Sequence, residues 1–319
     1  MAVYTIINKQ LLESFLENYE LGKLISFEGI REGVENTNYK LHMSSGIYIL
    51  TIFEKRINKK DLPFFIQLTK KLYEKKFLCP KPISNKKNIY INKIKNKSCV
   101  INTFLKGKQT NLVTINHCQQ LGTQLALMHN NTFDLKLFRK NNLNYQWWRN
   151  LFEKFRHNKN TEYKKIFEDI NSEIDFLEEN WPQELPSGII HADVFKDNVF
   201  FNNNSFSGII DFYFACNDFY AYELAICINA WCFNNQDKID TKKSITLLQS
   251  YQSYRKISEI EQKAFPILLR GAALRFLLTR LNDIIFHKKS DYVQPKDPME
   301  YFRILNFHQN NKLLYKTIF

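Results

Sequence analysis

At Leu105-Lys106-Gly107 the apolar residues of this chain change their period, and that change limits what it can fold into. Before it, residues 22–31, 37–43 and 47–54 alternate in the manner of strands, separated by the loops GVEN and SSG, which predicts an antiparallel meander. A short amphipathic helix is expected over 8–19, with Leu12, Phe15, Leu16 and Tyr19 on one face. A second is expected over 62–76, where Asp61 and Pro63 mark a start. Two further strands, 88–93 and 98–105, flank KNKS as a hairpin turn. After Gly107 the helical period dominates: 114–130, 145–157, 162–180, 218–233, 243–254, 259–286 and 299–308. It is interrupted by strands at 198–201 and 206–212 around the turn Asn202-Asn203-Asn204-Ser205. The expected class is α+β, with a small antiparallel β-rich lobe carrying one main helix over 1–105. A larger, mainly α-helical lobe with one β-hairpin follows over 106–319.

Composition narrows the class further. With 319 residues, 44% hydrophobic and 24% charged, the chain is not a disordered one. No apolar run reaches the roughly 18 residues of a spanning helix. The amino end, MAVYTIINKQLLESF, lacks a basic stretch followed by an apolar core and a cleavage site, so a cytoplasmic protein without membrane contact is expected. The net charge of +13 comes mostly from lysines mixed with Asn and Ile, as in KNIYINKIKNKS, which reads as a solvated surface. No nucleic-acid-binding module accompanies it. The cysteines, Cys79, Cys99, Cys118, Cys216, Cys227 and Cys232, include no C-x-x-C pair and are expected to be reduced and mostly buried.

The stretch that carries chemistry is GIIHADVFKDNVFFNNNSFSGIIDF, which contains His191, Asp193, Asn198 and Asp211. Phosphoryl transfer from a nucleotide needs a carboxylate that orients the attacking hydroxyl and takes its proton. It also needs oxygen ligands that hold Mg2+ on the phosphates. Asp193 suits the first role, and Asn198 with Asp211 the second. The pattern H-x-D-x-x-x-x-N followed by a hairpin and Asp is that of a kinase-like catalytic loop, with His-Ala-Asp in place of His-Arg-Asp. His191 is expected to brace the loop through its ring nitrogens. Between the first two strands, Gly29 and Gly33 allow close backbone approach to a phosphate, and Asn36, Thr37 and Asn38 add donors.

These residues, with GVENTNY, YILTIFEKR, DLPFF, HADVFKDNVFF, GIIDFYFAC, INAWCF, RGAALRFLLTR and KDPMEY, resemble bacterial homoserine kinases of the aminoglycoside phosphotransferase and choline kinase-like superfamily. The resemblance runs nearly end to end. It implies a bilobal protein-kinase-like fold, nucleotide-binding before residue 105 and catalytic after it. It also implies transfer of phosphate from ATP to the hydroxyl of L-homoserine, a small-molecule substrate, giving O-phospho-L-homoserine for threonine synthesis. By the resemblance Asp193 is the base, Asn198 and Asp211 bind Mg2+, Gly33, Asn36, Thr37 and Asn38 line the nucleotide, and Thr103, Phe104 and Leu105 flank adenine. Thr51 stands where most relatives carry a phosphate-binding Lys or Arg, and 61–65 offers no clear Glu partner; Lys55 and Arg56 are the nearest cations in sequence. Glu223 stands where related sequences commonly have Asp, and Asp218 is expected to cap the helix that holds it. Arg56, Tyr213, Asn229, Trp231 and Arg275 are the candidates for the substrate, although for Arg56 and Arg275 a salt bridge is the competing reading, and for the aromatics core packing is. A choline, sugar or aminoglycoside acceptor is the alternative within the same chemistry; the absence of an acidic cluster weighs against aminoglycosides.

Overall fold

Alternation in the first hundred residues becomes a six-stranded sheet, and the side chains on one of its faces explain why. In the computed structural model, which describes residues 4–30, 36–54, 57–158, 162–234, 238–286 and 295–319, the chain divides into two units. Gly33 and Arg56 of the expected site lie outside the described residues. The β unit runs to Gly107 and includes Ser207–Tyr213. Its elements are α1 (Lys9–Leu16), β1 (Leu24–Ile30), β2 (Thr37–Met43), β3 (Gly46–Ile52), α2 (Leu62–Glu74), β4 (Pro82–Ile83), β5 (Asn92–Ile94) and β6 (Lys97–Thr103). The expected meander is present: β1, β2 and β3 pair antiparallel in sequence order, and β6 adds to β3. Along β2 every second residue is buried, namely Thr37, Tyr39, Leu41 and Met43. A slip of one residue would turn this set to water, so burial sets the register. Leu12 and Leu16 of α1 join Leu41, Leu50 and Ile101 in the core on this side of the sheet. Each such aliphatic contributes about 1.5–3 kcal/mol by leaving water.

The strand expected over 88–93 is displaced. Asn85 Oδ1 accepts the N–H groups of Lys87 and Ile89, and Asn88 has φ +60°, so the chain turns there and pairing starts at Asn92. The turn that follows is Lys95-Asn96, with φ of +47° and +60°, inside the predicted KNKS. Two successive left-handed residues match the right-handed twist of a two-residue hairpin. At Gly208, φ is +149° and a Cβ would stand 2.5 Å from the Leu78 carbonyl oxygen, so only glycine fits.

The helical unit holds the remaining described residues. Its elements are α3 (Ile115–Thr132), α4 (Tyr145–Phe155), α5 (Phe167–Asn180), β7 (Ser187–Ile190), β8 (Val199–Asn202), β9 (Ser205–Ile209), β10 (Cys216–Phe219), α6 (Tyr220–Trp231), α7 (Thr241–Gln252), α8 (Glu259–Ile285), α9 (Pro298–Asn310) and α10 (Tyr315–Ile318). The boundary between the units falls within β9, after Phe206. Thr114 and His117 form a reciprocal cap at the start of α3. Farther along α3, Gly122 lets α7 approach: a Cβ there would lie 2.1 Å from the Leu247 carbonyl oxygen. Asn203 and Asn204, at φ +48° and +61°, make the expected Asn-rich turn.

Two expectations are corrected. Residues 187–190, which lie outside every expected element, form β7, which pairs antiparallel with β10. Four residues beginning Ser-Gly are too short an apolar run to announce a strand. In consequence the helix expected from residue 218 begins at Tyr220, and Asp218 is a strand residue and not its cap. Asp218 Oδ1 accepts from Phe219 N at 2.7 Å and Oδ2 from Asn141 Nδ2 at 2.5 Å. Burial raises its carboxyl above the usual range, opposed by the Asn141 and Phe219 hydrogen bonds. All residues of α6 are buried, which fits its nearly continuous apolar sequence. The cysteines are free and buried, as expected. Among the described residues no helix is long and apolar enough to cross a membrane.

Candidate active site

The loop between β7 and β8 carries His191, Asp193 and Asn198, and its shape is imposed from outside. A loop of this length cannot satisfy its own backbone groups, so buried ones need partners from elsewhere. Glu223, fully buried on α6, accepts the N–H groups of His191 at 2.5 Å and Ala192 at 2.9 Å. Arg275 on α8, also buried, donates its Nη1 to the Ala192 carbonyl at 2.7 Å. Trp231 Nε1 donates to the Val194 carbonyl at 2.8 Å. Held at both its N–H and its carbonyl, Ala192 adopts φ +63°, a left-handed conformation costly for a residue with a Cβ. The next residue is Asp193.

Asp193 is half-buried, and its carbonyl accepts from Phe195 N at 2.8 Å. Asn198, buried at the end of the loop, donates Nδ2 both to the Asp193 carbonyl at 2.8 Å and to Asp193 Oδ2 at 2.9 Å. With its nitrogen committed, the amide presents Oδ1, an oxygen of the kind a hard cation takes. Within the loop His191 Nδ1 accepts from Asp193 N at 3.2 Å. Behind Glu223, His129 Nε2 stands 3.7 Å from Glu223 Oε2 and Nδ1 lies 2.7 Å from the Tyr251 hydroxyl. Burial lowers the pKa of His129, opposed by Glu223.

Four of the residues expected at the substrate are described, and each has partners within its own unit. Arg275 and Trp231 hold the backbone of the loop between β7 and β8. Asn229 donates Nδ2 to the Leu269 carbonyl at 2.9 Å, and its Oδ1 lies 2.7 Å from His308 Nε2 inside the helical unit. Tyr213 belongs to the β unit, where its ring meets those of Phe53 and Phe65 edge-on. Burial and the Asp211 carboxylate push its phenol above the ordinary range, opposed by the Thr51 and Asn102 side chains.

Asp211 too belongs to the β unit, just beyond the end of β9, and has φ +62°. The two metal-ligand candidates thus fall in different units, Asn198 with Asp193 in one and Asp211 in the other. In the β unit, Thr51 Oγ1 donates to Asn38 Oδ1 at 2.8 Å. Thr37 is fully buried; its hydroxyl accepts from Tyr4 N and Thr5 N and donates to Glu54 Oε1 at 2.7 Å. Lys97 completes this cluster as the partner of Glu54. The side chains of Thr37 and Asn38 are therefore engaged by the fold, while Asn36 is buried nearby in sequence. Thr103 N and Phe104 N donate to the carbonyls of Lys81 and Ile47.

Sequence reasoning missed the part of Glu223 as a double acceptor. A signal existed: a carboxylate inside the apolar run of α6 must have buried donors. The same signal marks Arg270, Arg275 and Arg280 on α8. Arg270 forms a two-bond pair with buried Glu173, at 2.7 and 2.5 Å, and Arg280 bonds Glu300 Oε2 at 2.6 Å.

Residues 26–257 match the phosphotransferase enzyme family. The homoserine kinase of Parvibaculum lavamentivorans is 44% identical over 309 residues, covering 97% of this chain and 96% of that protein. The chain belongs to this family of phosphotransferases, on its homoserine kinase branch. Among solved structures, an amicoumacin kinase in complex with AMP-PNP and Ca2+ superposes with a TM-score of 0.74 at 12% identity, over 97% of this chain and 94% of that one. A choline kinase from Cryptosporidium parvum gives 0.68 at 14%, over 96% and 95%. At such identities the likeness is one of fold: a small antiparallel β unit and a larger helical one, as in kinases. The 44% identity to a homoserine kinase makes the chain a kinase, and its family uses ATP.

Proposed function

We propose that this kinase is an ATP:L-homoserine O-phosphotransferase that converts L-homoserine and ATP to O-phospho-L-homoserine and ADP. The observation that carries the reading is the Asp193–Asn198 pair on its externally braced loop, in a chain 44% identical along its length to a homoserine kinase. Asp193 Oδ1 or Oδ2 accepts the proton of the substrate hydroxyl as its oxygen attacks the γ-phosphorus, and the bond to the ADP oxygen breaks. Asn198, by bonding Asp193, keeps the carboxylate oriented toward the acceptor. Oδ1 of Asn198 and the carboxylate of Asp211 would hold Mg2+, which neutralises charge on the phosphates when bound. In the β unit the backbone at Asn36 would cover the phosphates and the segment Thr103–Phe104–Leu105 would flank adenine. The product suits consumption in threonine synthesis. Dependence on ATP and the free buried thiols favour the cytoplasm.

A coupled ADP-release assay with Mg-ATP and a panel of hydroxyl acceptors tests this. L-Homoserine is expected to exceed choline and kanamycin by at least about 100-fold in kcat/KM, the scale on which a polar site rejects a ligand that leaves its groups unpaired. Equal turnover on all three, or none on homoserine, overturns the reading.

A further inference from the structure

The helical unit contains a cavity of about 310 Å3 that no residue expected at the substrate explains. One wall is Phe195, Lys196 and Asp197, three of the four residues that connect Asp193 to Asn198. The opposite wall comes from the end of α8 and the start of α9: Arg280, Glu300 and Tyr301, with Lys296 before them. Whatever occupies this space lies against the loop that carries the base. Burial raises the pKa of the Tyr301 phenol, and although Arg280 opposes it, the carboxylates of Glu300 and Asp193 raise it further. The rings of Phe195, two residues from Asp193, and Tyr301 lie 6.2 Å apart, so the two walls meet at the loop.

Arg280 is only 8% exposed, yet only one edge of its guanidinium is satisfied. Nη1 donates to the Asp297 carbonyl at 2.7 Å and to Glu300 Oε2 at 2.6 Å, and the Tyr301 ring lies 4.5 Å from the central carbon. Nε and Nη2 have no hydrogen-bond partner among the described residues. These two nitrogens form the side-on fork that takes a carboxylate through two parallel bonds. Beside it, Glu300 keeps Oε1 free of protein partners among the described residues, on a side chain 51% exposed. A cation with an open fork thus stands next to an anion with an open oxygen. Lys296 and Asp197, 3.0 Å apart, add a second opposed pair at the rim.

We infer that Arg280 and Glu300 read the head group of an α-amino acid, the guanidinium taking its carboxylate and Glu300 its ammonium, so that the side-chain hydroxyl reaches Asp193. The inference rests on the proposed homoserine kinase activity and names the residues that select its substrate. It also accounts for the partial pairing of Arg280: a fully satisfied arginine would have nothing to offer a ligand, and an isolated one would be costly to bury.

The test compares L-homoserine with two analogues that keep the hydroxyl but lose one charge, 3-aminopropan-1-ol and 4-hydroxybutyrate. For Arg280→Met, the ratio of kcat/KM for homoserine to that for 3-aminopropan-1-ol is expected to fall roughly 10- to 100-fold, the range for losing hydrogen bonds to a charged group. Arg280→Lys should restore part of it. For Glu300→Gln, the ratio of homoserine to 4-hydroxybutyrate should fall in the same way. Ala230→Leu intrudes on the cavity without touching either charge; it should raise KM for homoserine and leave KM for ATP near the wild-type value. If Arg280→Met lowers homoserine and 3-aminopropan-1-ol equally, or Ala230→Leu leaves the homoserine KM unchanged, the head-group assignment fails while the kinase reading stands. If the wild type phosphorylates the analogues but not homoserine, both fail.

Discussion

The loop at 191–198 and the turn at 36–38 were both expected to present side chains to the reaction, and the fold treats them in opposite ways. In the helical unit the backbone of the loop is carried by Glu223, Arg275 and Trp231, and the proposed reaction draws on the side chains of Asp193 and Asn198, which bond each other. In the β unit the side chains of Thr37 and Asn38 are themselves the braces, tying the residues before α1 and the third strand to the second. The difference is one of which groups are already bonded. Where distant side chains satisfy the backbone, local side chains are released for catalysis; where local side chains do the bracing, ligand contacts pass to the backbone.

The largest way to break this contrast is at Glu223. Glu223→Ala leaves two buried N–H groups without acceptors and is expected to cost about 3 kcal/mol in urea unfolding and at least about 100-fold in kcat. If kcat stays near normal in the folded protein, the loop does not depend on that brace.

A pH measurement tests whether His308 stays neutral in the helical interior. Burial, with a smaller contribution from Arg270, lowers the pKa of His308 to about 3. The unfolded state takes up a proton near pH 6.5 and the folded state does not until about pH 3, so stability present above 6.5 is lost as pH falls. The expected slope from this group is about 1.4 kcal/mol per pH unit below 6.5. His308→Gln should flatten the stability profile between pH 6 and 4 relative to wild type; an unchanged slope would show that His308 does not contribute it.

The smallest effect belongs to the β unit. Thr37→Val removes a buried hydroxyl that serves Tyr4, Thr5 and Glu54 and is expected to cost about 1–2 kcal/mol, with kcat within about threefold of wild type. A loss of kcat comparable to that at Glu223 would erase the distinction between the two regions.

Much of this was legible beforehand. Alternation marked the meander because burial on one sheet face imposes it, and Asn-rich dipeptides marked both hairpin turns because they tolerate positive φ. The Asp193 and Asn198 spacing was legible because the loop is local. The braces were not. A salt bridge competed with a ligand contact for Arg275, and core packing did for Trp231, because their partners are backbone carbonyls some distance away in sequence, which no local pattern announces. β7 was hidden for the same reason: its pairing with β10 depends on a long-range register that four residues cannot signal. The open fork of Arg280 depends on which of its nitrogens are already spent, a property of packing alone.

The most direct test of the account is single-turnover phosphoryl transfer to L-homoserine by Asp193→Asn, with Mg-ATP affinity measured on the same protein. The chemical step should slow by about 1,000-fold, within the range for removing a general base, while the Kd for Mg-ATP stays within about twofold. Transfer at close to the wild-type rate would contradict it.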